Sequence, residues 1–169
     1  GGSVPVDNNI FLYRTQDGGL TWNEFPLALP PGDQSAQTGN AGPIFFSVTE
    51  GLLPVHFVMP SVSGSLSVFY RTTDGGATWT PGQVINEGRT YDFRTFRDGA
   101  AWANGQFYFT SDSGQTWGAV QPNMDFSNTI QSFQFVNDLV GWTLVDQSGG
   151  NPALYKTTDG GVTWTLLIP

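Results

Sequence analysis

The fold this sequence predicts is an all-β chain built from repeats of one four-stranded unit, and three observations predict it. An eight-residue stretch occurs four times, at residues 15–22, 72–79, 110–117 and 157–164, in the pattern T-x-D-[GS]-G-x-T-W. The aspartates of that stretch, Asp17, Asp74, Asp112 and Asp159, lie 57, 38 and 47 residues apart in turn, which brackets the ~40–50 residues of a four-stranded propeller blade. Finally, 22 glycines, 11 prolines and 14% aromatic residues suit many short strands joined by tight turns. The expectation is a β-propeller, or a segment of one.

The last copy shows how the stretch works locally. Leu154, Tyr155 and Thr157 favour a strand, and Asp159-Gly160-Gly161 supplies the positive-φ positions of a tight turn. The Asp159 carboxylate is placed to accept hydrogen bonds from N–H groups one or two residues on. Trp164 then opens the next strand and covers the turn. Trp22, Trp79 and Trp117 hold the same place in the other copies, and in the third Ser113 replaces the first glycine.

In chain order, residues 1–29 read as a partial unit, with strands at 10–15 and 21–27 and at most a short further strand at 3–6. Residues 30–42, rich in Pro, Gly, Ser, Gln and Asn, read as an exposed loop. The unit at 43–86 is expected to hold strands at 44–48, 55–59, 67–72 and 78–85. The unit at 89–122 has them at 90–96, 100–103, 106–110 and 116–120, and the unit at 128–169 at 129–136, 140–145, 153–157 and 163–168. Trp102 and Trp142 read as matched residues opening the second strand, with Pro54 as their counterpart. All six tryptophans then belong to packing between units. About three and a half blades result, fewer than a usual ring holds. The remaining blades are expected on a longer or a separate chain, or from self-association, and Gly1-Gly2-Ser3 reads as a cloning remnant or the start of an excised segment.

The repeated stretch is an Asp box, and the chain resembles the Asp-box (BNR-repeat) β-propeller proteins. That group spans sialidases, some glucan hydrolases, sortilin-type receptor domains and the photosystem II assembly factor. The run Phe135-Val136-Asn137-Asp138, then Gly141-Trp142, then the box, is most similar to its non-enzymatic bacterial members. The resemblance implies boxes on the outer rim, away from an axial ligand site, so their aspartates read first as turn holders. Calcium binding is the second reading for them and catalysis the third.

Composition excludes several functions. Fourteen acidic side chains against six basic ones give a net charge of −8, contrary to the clustered cations that nucleic acid or an anionic membrane surface needs. With no cysteine and a single histidine, His56, there is no thiolate metal site, disulfide or cysteine nucleophile. No apolar run approaches the roughly 18 residues of a membrane span.

If strands run outward from the axis, the loops joining fourth to first and second to third strands share one face, where propellers usually bind ligands. The densest ionisable cluster there is Glu87, Arg89, Tyr91 and Asp92, with Arg94 and Arg97 following. Arginine pairs bidentately with a carboxylate, and a tyrosine or acid pair can do glycosyl chemistry. A sialidase resemblance, however, requires three arginines from different blades, and Arg89, Arg94 and Arg97 share one. The cluster therefore reads first as a solvated or ion-paired surface. Its second reading is a binding site of Arg89, Tyr91, Asp92 and Arg94. An acid/base centre of Glu87 and Asp92 with Tyr91 comes third.

The sequence leans away from an enzyme. It favours a non-catalytic binding or scaffolding module of an extracytoplasmic bacterial protein, without cofactor, holding a protein or glycan on the loop face. The alternatives are part of a secreted glycoside hydrolase, sialidase-like or glucan-degrading, and a structural or engineered fragment that assembles by oligomerisation.

Overall fold

The computed structural model describes residues 10–29, 37–40, 42–58, 64–88, 90–126, 129–147 and 151–168. Every element among them is a strand. A hairpin of β1 (Ile10–Arg14) and β2 (Asn23–Leu27) comes first, then three antiparallel sheets. The second unit holds β3 (Gln37–Asn40), β4 (Ile44–Phe45), β5 (Gly51–Val58), β6 (Ser65–Thr72), β7 (Thr80–Pro81) and β8 (Ile85–Asn86). The third holds β9 (Thr90–Phe93), β10 (Gly99–Ala103), β11 (Gln106–Thr110) and β12 (Gly118–Val120). The fourth holds β13 (Ile130–Phe135), β14 (Gly141–Val145), β15 (Ala153–Thr157) and β16 (Thr165–Ile168). The third and fourth sheets are simple four-stranded meanders, the expected blade.

The second unit departs from the expectation. Its first strand is broken into β3, which falls within the stretch 30–42 expected to be a loop, and β4, both on β5, and its fourth into β7 and β8, both on β6. The first break lies opposite Leu53 and Pro54, where a proline supplies no N–H to a ladder. The expected second strand at 55–59 begins earlier, at Gly51, with Pro54 buried inside it. β5 and β6 run eight residues each against five in the matching strands of the other sheets, so this hairpin extends further on the loop side.

Register corrects the tryptophan match. Gly51, Gly99 and Gly141 each pair with the first threonine of a box, Thr72, Thr110 and Thr157. Counted from those glycines, Trp102 and Pro54 share a place, and Trp142 lies two residues earlier in its strand. The glycine is required because an aromatic ring lies directly against it. A Cβ there would meet Phe45, Phe93 or Phe135 at 2.8, 2.3 and 2.6 Å, inside any real contact.

Neighbouring units bury their sheet faces against each other, and side-chain alternation along each strand assigns the faces. Ile10, Leu12, Leu27 and Leu29 of the first hairpin pack on Leu53, Val55, Phe57, Val68 and Tyr70. The other face of the second sheet sends Phe69 and Ile85 against Ala101, Ala103, Tyr91, Phe93 and Tyr108. Ala100, Trp102 and Phe107, on the far side of the third sheet, meet Phe126, Ile130, Phe133 and Phe135. Phe107 is the centre of that last interface, in ring contact with Trp102, Phe109, Phe126, Phe133, Phe135 and Trp164.

Candidate functional site

Each box is a turn closed by its own side chains. In the fourth, the Thr157 hydroxyl accepts the Gly161 N–H at 3.0 Å and donates to Asp159 Oδ1 at 2.9 Å. The Asp159 carboxylate accepts the Thr163 N–H at 2.8 Å and the Thr163 hydroxyl at 2.6 Å. The main acceptance is thus from a residue four further on, not one or two, and a threonine stands at each end of the turn. The other three boxes repeat the set. The turns need positive φ, which glycine supplies at φ 70 to 74° in Gly18, Gly75 and Gly160, while Ser113 adopts φ 66°.

These bonds hold the carboxylates ionised. Asp17 is lowered to about 2, chiefly by the Thr21 hydroxyl and then its N–H and the Thr15 hydroxyl. Asp74 and Asp159 are lowered for the same reasons, led by the hydroxyls of Thr78 and Thr163. At Asp112 desolvation pushes upward, but the Thr116 N–H and hydroxyl and the Thr110 hydroxyl outweigh it. Such carboxylates do not serve as proton donors at neutral pH. Among the described residues no three His, Cys, Asp or Glu side chains gather where they could hold a metal.

In the three sheets each box also docks on the turn between its own first and second strands. Gly75 N–H donates to Thr49 O, Ser113 N–H to Arg97 O and Gly160 N–H to Leu139 O, at 2.8 to 3.0 Å. The opposite face is formed by the remaining loops, which bond one another: Asn104 Nδ2 to Asn86 O, Gln121 Nε2 to Gly105 O, and Asp146 N–H to Thr129 O.

The ionisable cluster of the sequence is pulled apart. Glu87, with φ 59°, stays on the loop face and closes on Ser65: its N–H donates to Ser65 O at 2.8 Å, and its Oε1 accepts the Ser65 N–H at 2.9 Å. Tyr91 turns into the second interface, edge-on to Phe69 at 5.2 Å, and burial raises its phenol. Asp92 faces the other way and accepts the Phe135 N–H of the fourth sheet at 3.1 Å. Arg94 lies in the turn on the box face and pairs with Asp138 of the fourth unit. Arg97 shares that turn and donates to Ser111 O at 3.3 Å. Arg89 lies outside the described residues. Asp92 and Arg94 thus join blades, and Glu87 joins loops.

Two repeated features escaped the sequence reading. A tyrosine stands two residues before every box: Tyr13, Tyr70, Tyr108 and Tyr155. The last three face the preceding unit, and Tyr70, its phenol pushed up to about 12 by burial, donates to Ala28 O at 2.7 Å. A phenylalanine stands six residues before each glycine opening a second strand. Both patterns are legible once the repeats are aligned on Thr72, Thr110 and Thr157.

Antiparallel sheets stacked face to face, each closed by an Asp box, are the architecture of an Asp-box β-propeller segment. The BNR/Asp-box repeat model matches residues 70–81. The chain is 27% identical over 169 residues to the photosystem II assembly protein Ycf48 of Synechococcus sp., covering 97% of this chain and 45% of that protein. It is 28% identical over 135 residues to the xyloglucanase Xgh74A of Acetivibrio thermocellus, covering 59% of this chain and 16% of that protein. The chain therefore spans less than half the length of either relative. Among solved structures, one described as YCF48 bound to D1 peptide superposes with a TM-score of 0.53 at 18% identity, over 83% of this chain and 44% of that one.

Proposed function

We propose that the chain is a non-catalytic binding module whose loop face holds a segment of another protein. One observation carries this reading: the acids that would have to do chemistry are engaged in holding the blades. Asp92 accepts a backbone N–H of the next sheet, Glu87 clamps Ser65, and the four box carboxylates close their own turns. The similarity to an assembly protein, and to a structure described with a bound peptide, supports a protein ligand over a glycan.

Charge adds chemistry to the partner. Arg14, Arg71 and Lys156 each stand immediately before a box threonine, and Arg94 and Arg97 lie in a turn of the same face. The loop face carries Glu87 and Asp146, on a chain of net charge −8, while Arg89, two residues after Glu87, lies outside the described residues. A cationic peptide is the ligand this favours. The reading includes partners at the outer blade faces and an extracytoplasmic location. Fractionating a host that expresses the intact gene tests the location, and a cytoplasmic pool contradicts it.

Fluorescence anisotropy with a short Lys/Arg-rich peptide and its Asp/Glu-rich counterpart tests the binding. The basic peptide is expected to bind, and Glu87→Lys with Asp146→Lys to weaken it about tenfold. The similarity to a xyloglucanase supplies the competing reading. Turnover of xyloglucan oligosaccharides or aryl sialosides by the parent, abolished by Glu87→Gln or Asp92→Asn, would overturn the non-catalytic reading.

A further inference from the structure

Each interior interface repeats one device. The tryptophan ending a box turns back onto the preceding sheet, at the residue three places before that sheet's own box threonine. Trp117 meets Phe69 with ring centres 5.3 Å apart, and Trp164 stacks on Phe107 at 5.1 Å and 25°. In the first interface Leu12 holds the receiving place and joins the same cluster as Trp79. The tyrosine two residues before the box goes in beside the tryptophan, and Trp164 and Tyr70 are 4% and 0% exposed.

The first hairpin carries the same pair uncovered, with Tyr13 62% and Trp22 59% exposed. Tyr13 pairs across the hairpin with Glu24, and its hydroxyl donates to that carboxylate at 2.9 Å, so Glu24 shares this outer face. The outer face of the fourth sheet offers the receiving side. Tyr155 points inward to Phe126, so its strand neighbours Leu154 and Lys156 point outward. Lys156 Nζ lies 5.2 Å from the centre of the Trp142 ring beside them. Leu154 stands three places before Thr157, the counterpart of Phe69, Phe107 and Leu12.

We propose that a second copy of this chain docks head to tail, its Tyr13–Trp22 face seated on the Leu154–Lys156 face. The inference deepens the partner reading above and rests on it. A leucine already receives a tryptophan in the first interface, so Leu154 is an adequate seat for Trp22. The charges also complement, with Glu24 on the inserting face and Lys156 on the receiving one. Because the two faces differ, the contact is heterologous: one contact leaves each copy a free face, which a second contact between the copies can close into a ring.

Sedimentation velocity over micromolar concentrations tests it. The parent is expected to associate, and Trp22→Asp and Leu154→Asp each to raise the dissociation constant at least tenfold. Mixing those two variants in equal amounts is expected to restore a species of twice the monomer mass and nothing larger, since each contributes its one intact face. Should Leu154→Asp fail to fold, Glu24→Lys and Lys156→Glu replace the pair: each alone weakens self-association, and their mixture, in which every contact between unlike copies sets Lys against Glu, restores the association of the parent. A parent that stays monomeric overturns both this contact and association as such. A parent that associates while the mixtures stay monomeric overturns the face assignment alone.

Discussion

Thr157 is the residue on which a box turn depends most. It is buried, and its hydroxyl serves Gly161 N–H and Asp159 together. Thr157→Val keeps the shape and removes the hydroxyl, leaving a buried N–H unpaired, so urea melts should show a loss of about 1–3 kcal/mol. Unchanged stability would mean that the turn does not need the bond. The box aspartates set an acid limit. Their folded pKa values lie below the unfolded one, about 2 for Asp17, so their stabilisation is full above pH ~4 and is lost as pH falls through the folded values. Stability measured in urea should be flat from neutral pH to about 5 and then fall steadily toward pH 2. A single Asp159→Asn variant should make that fall shallower. The box was legible as a turn from its glycines, but its bonding partner four residues on was not. That depends on how tightly the chain folds back, which spacing alone does not give.

At the scale of the element, the sheets depend on close approach between a glycine and a ring. Gly141→Ala would drive a Cβ into the buried Phe135 ring and should cost about 1–3 kcal/mol by overpacking. Phe107→Ala should cost more, about 3–5 kcal/mol, because a fully buried ring is lost from the last interface. Asp92 separates the two functional readings. Asp92→Ala leaves the Phe135 N–H without its acceptor and should destabilise by about 1–3 kcal/mol, whereas Asp92→Asn keeps an oxygen and should cost little. Thermal melts of the two variants check this; equal stability would deny Asp92 its joining role. Strands of the third and fourth sheets were legible from turn residues and period-two patterning. Those of the second were less so, since Pro54 reads as a boundary and is instead buried within β5. The cluster from Glu87 to Arg94 misled for a geometric reason. A short strand carries its two ends to opposite faces and alternates its side chains between two neighbours, so proximity in sequence did not become proximity in space.

For the whole molecule, a box tryptophan is the seal a blade sets against the one before it. Seals two to four are made within the chain, and the first is presented outward. That asymmetry could not be read from the six tryptophans as letters, because Trp22 and Trp164 occupy identical motifs. Among the described residues Trp164 lies against the preceding sheet and Trp22 lies exposed. Labelling with 5-fluorotryptophan and recording ¹⁹F spectra in H₂O and D₂O measures the exposure of each indole directly. The largest solvent shift is expected at Trp22 in dilute protein, shrinking as concentration rises, and almost none at Trp164 at any concentration. A Trp22 resonance as protected as that of Trp164 in dilute protein, or a Trp164 as exposed as Trp22, would contradict it.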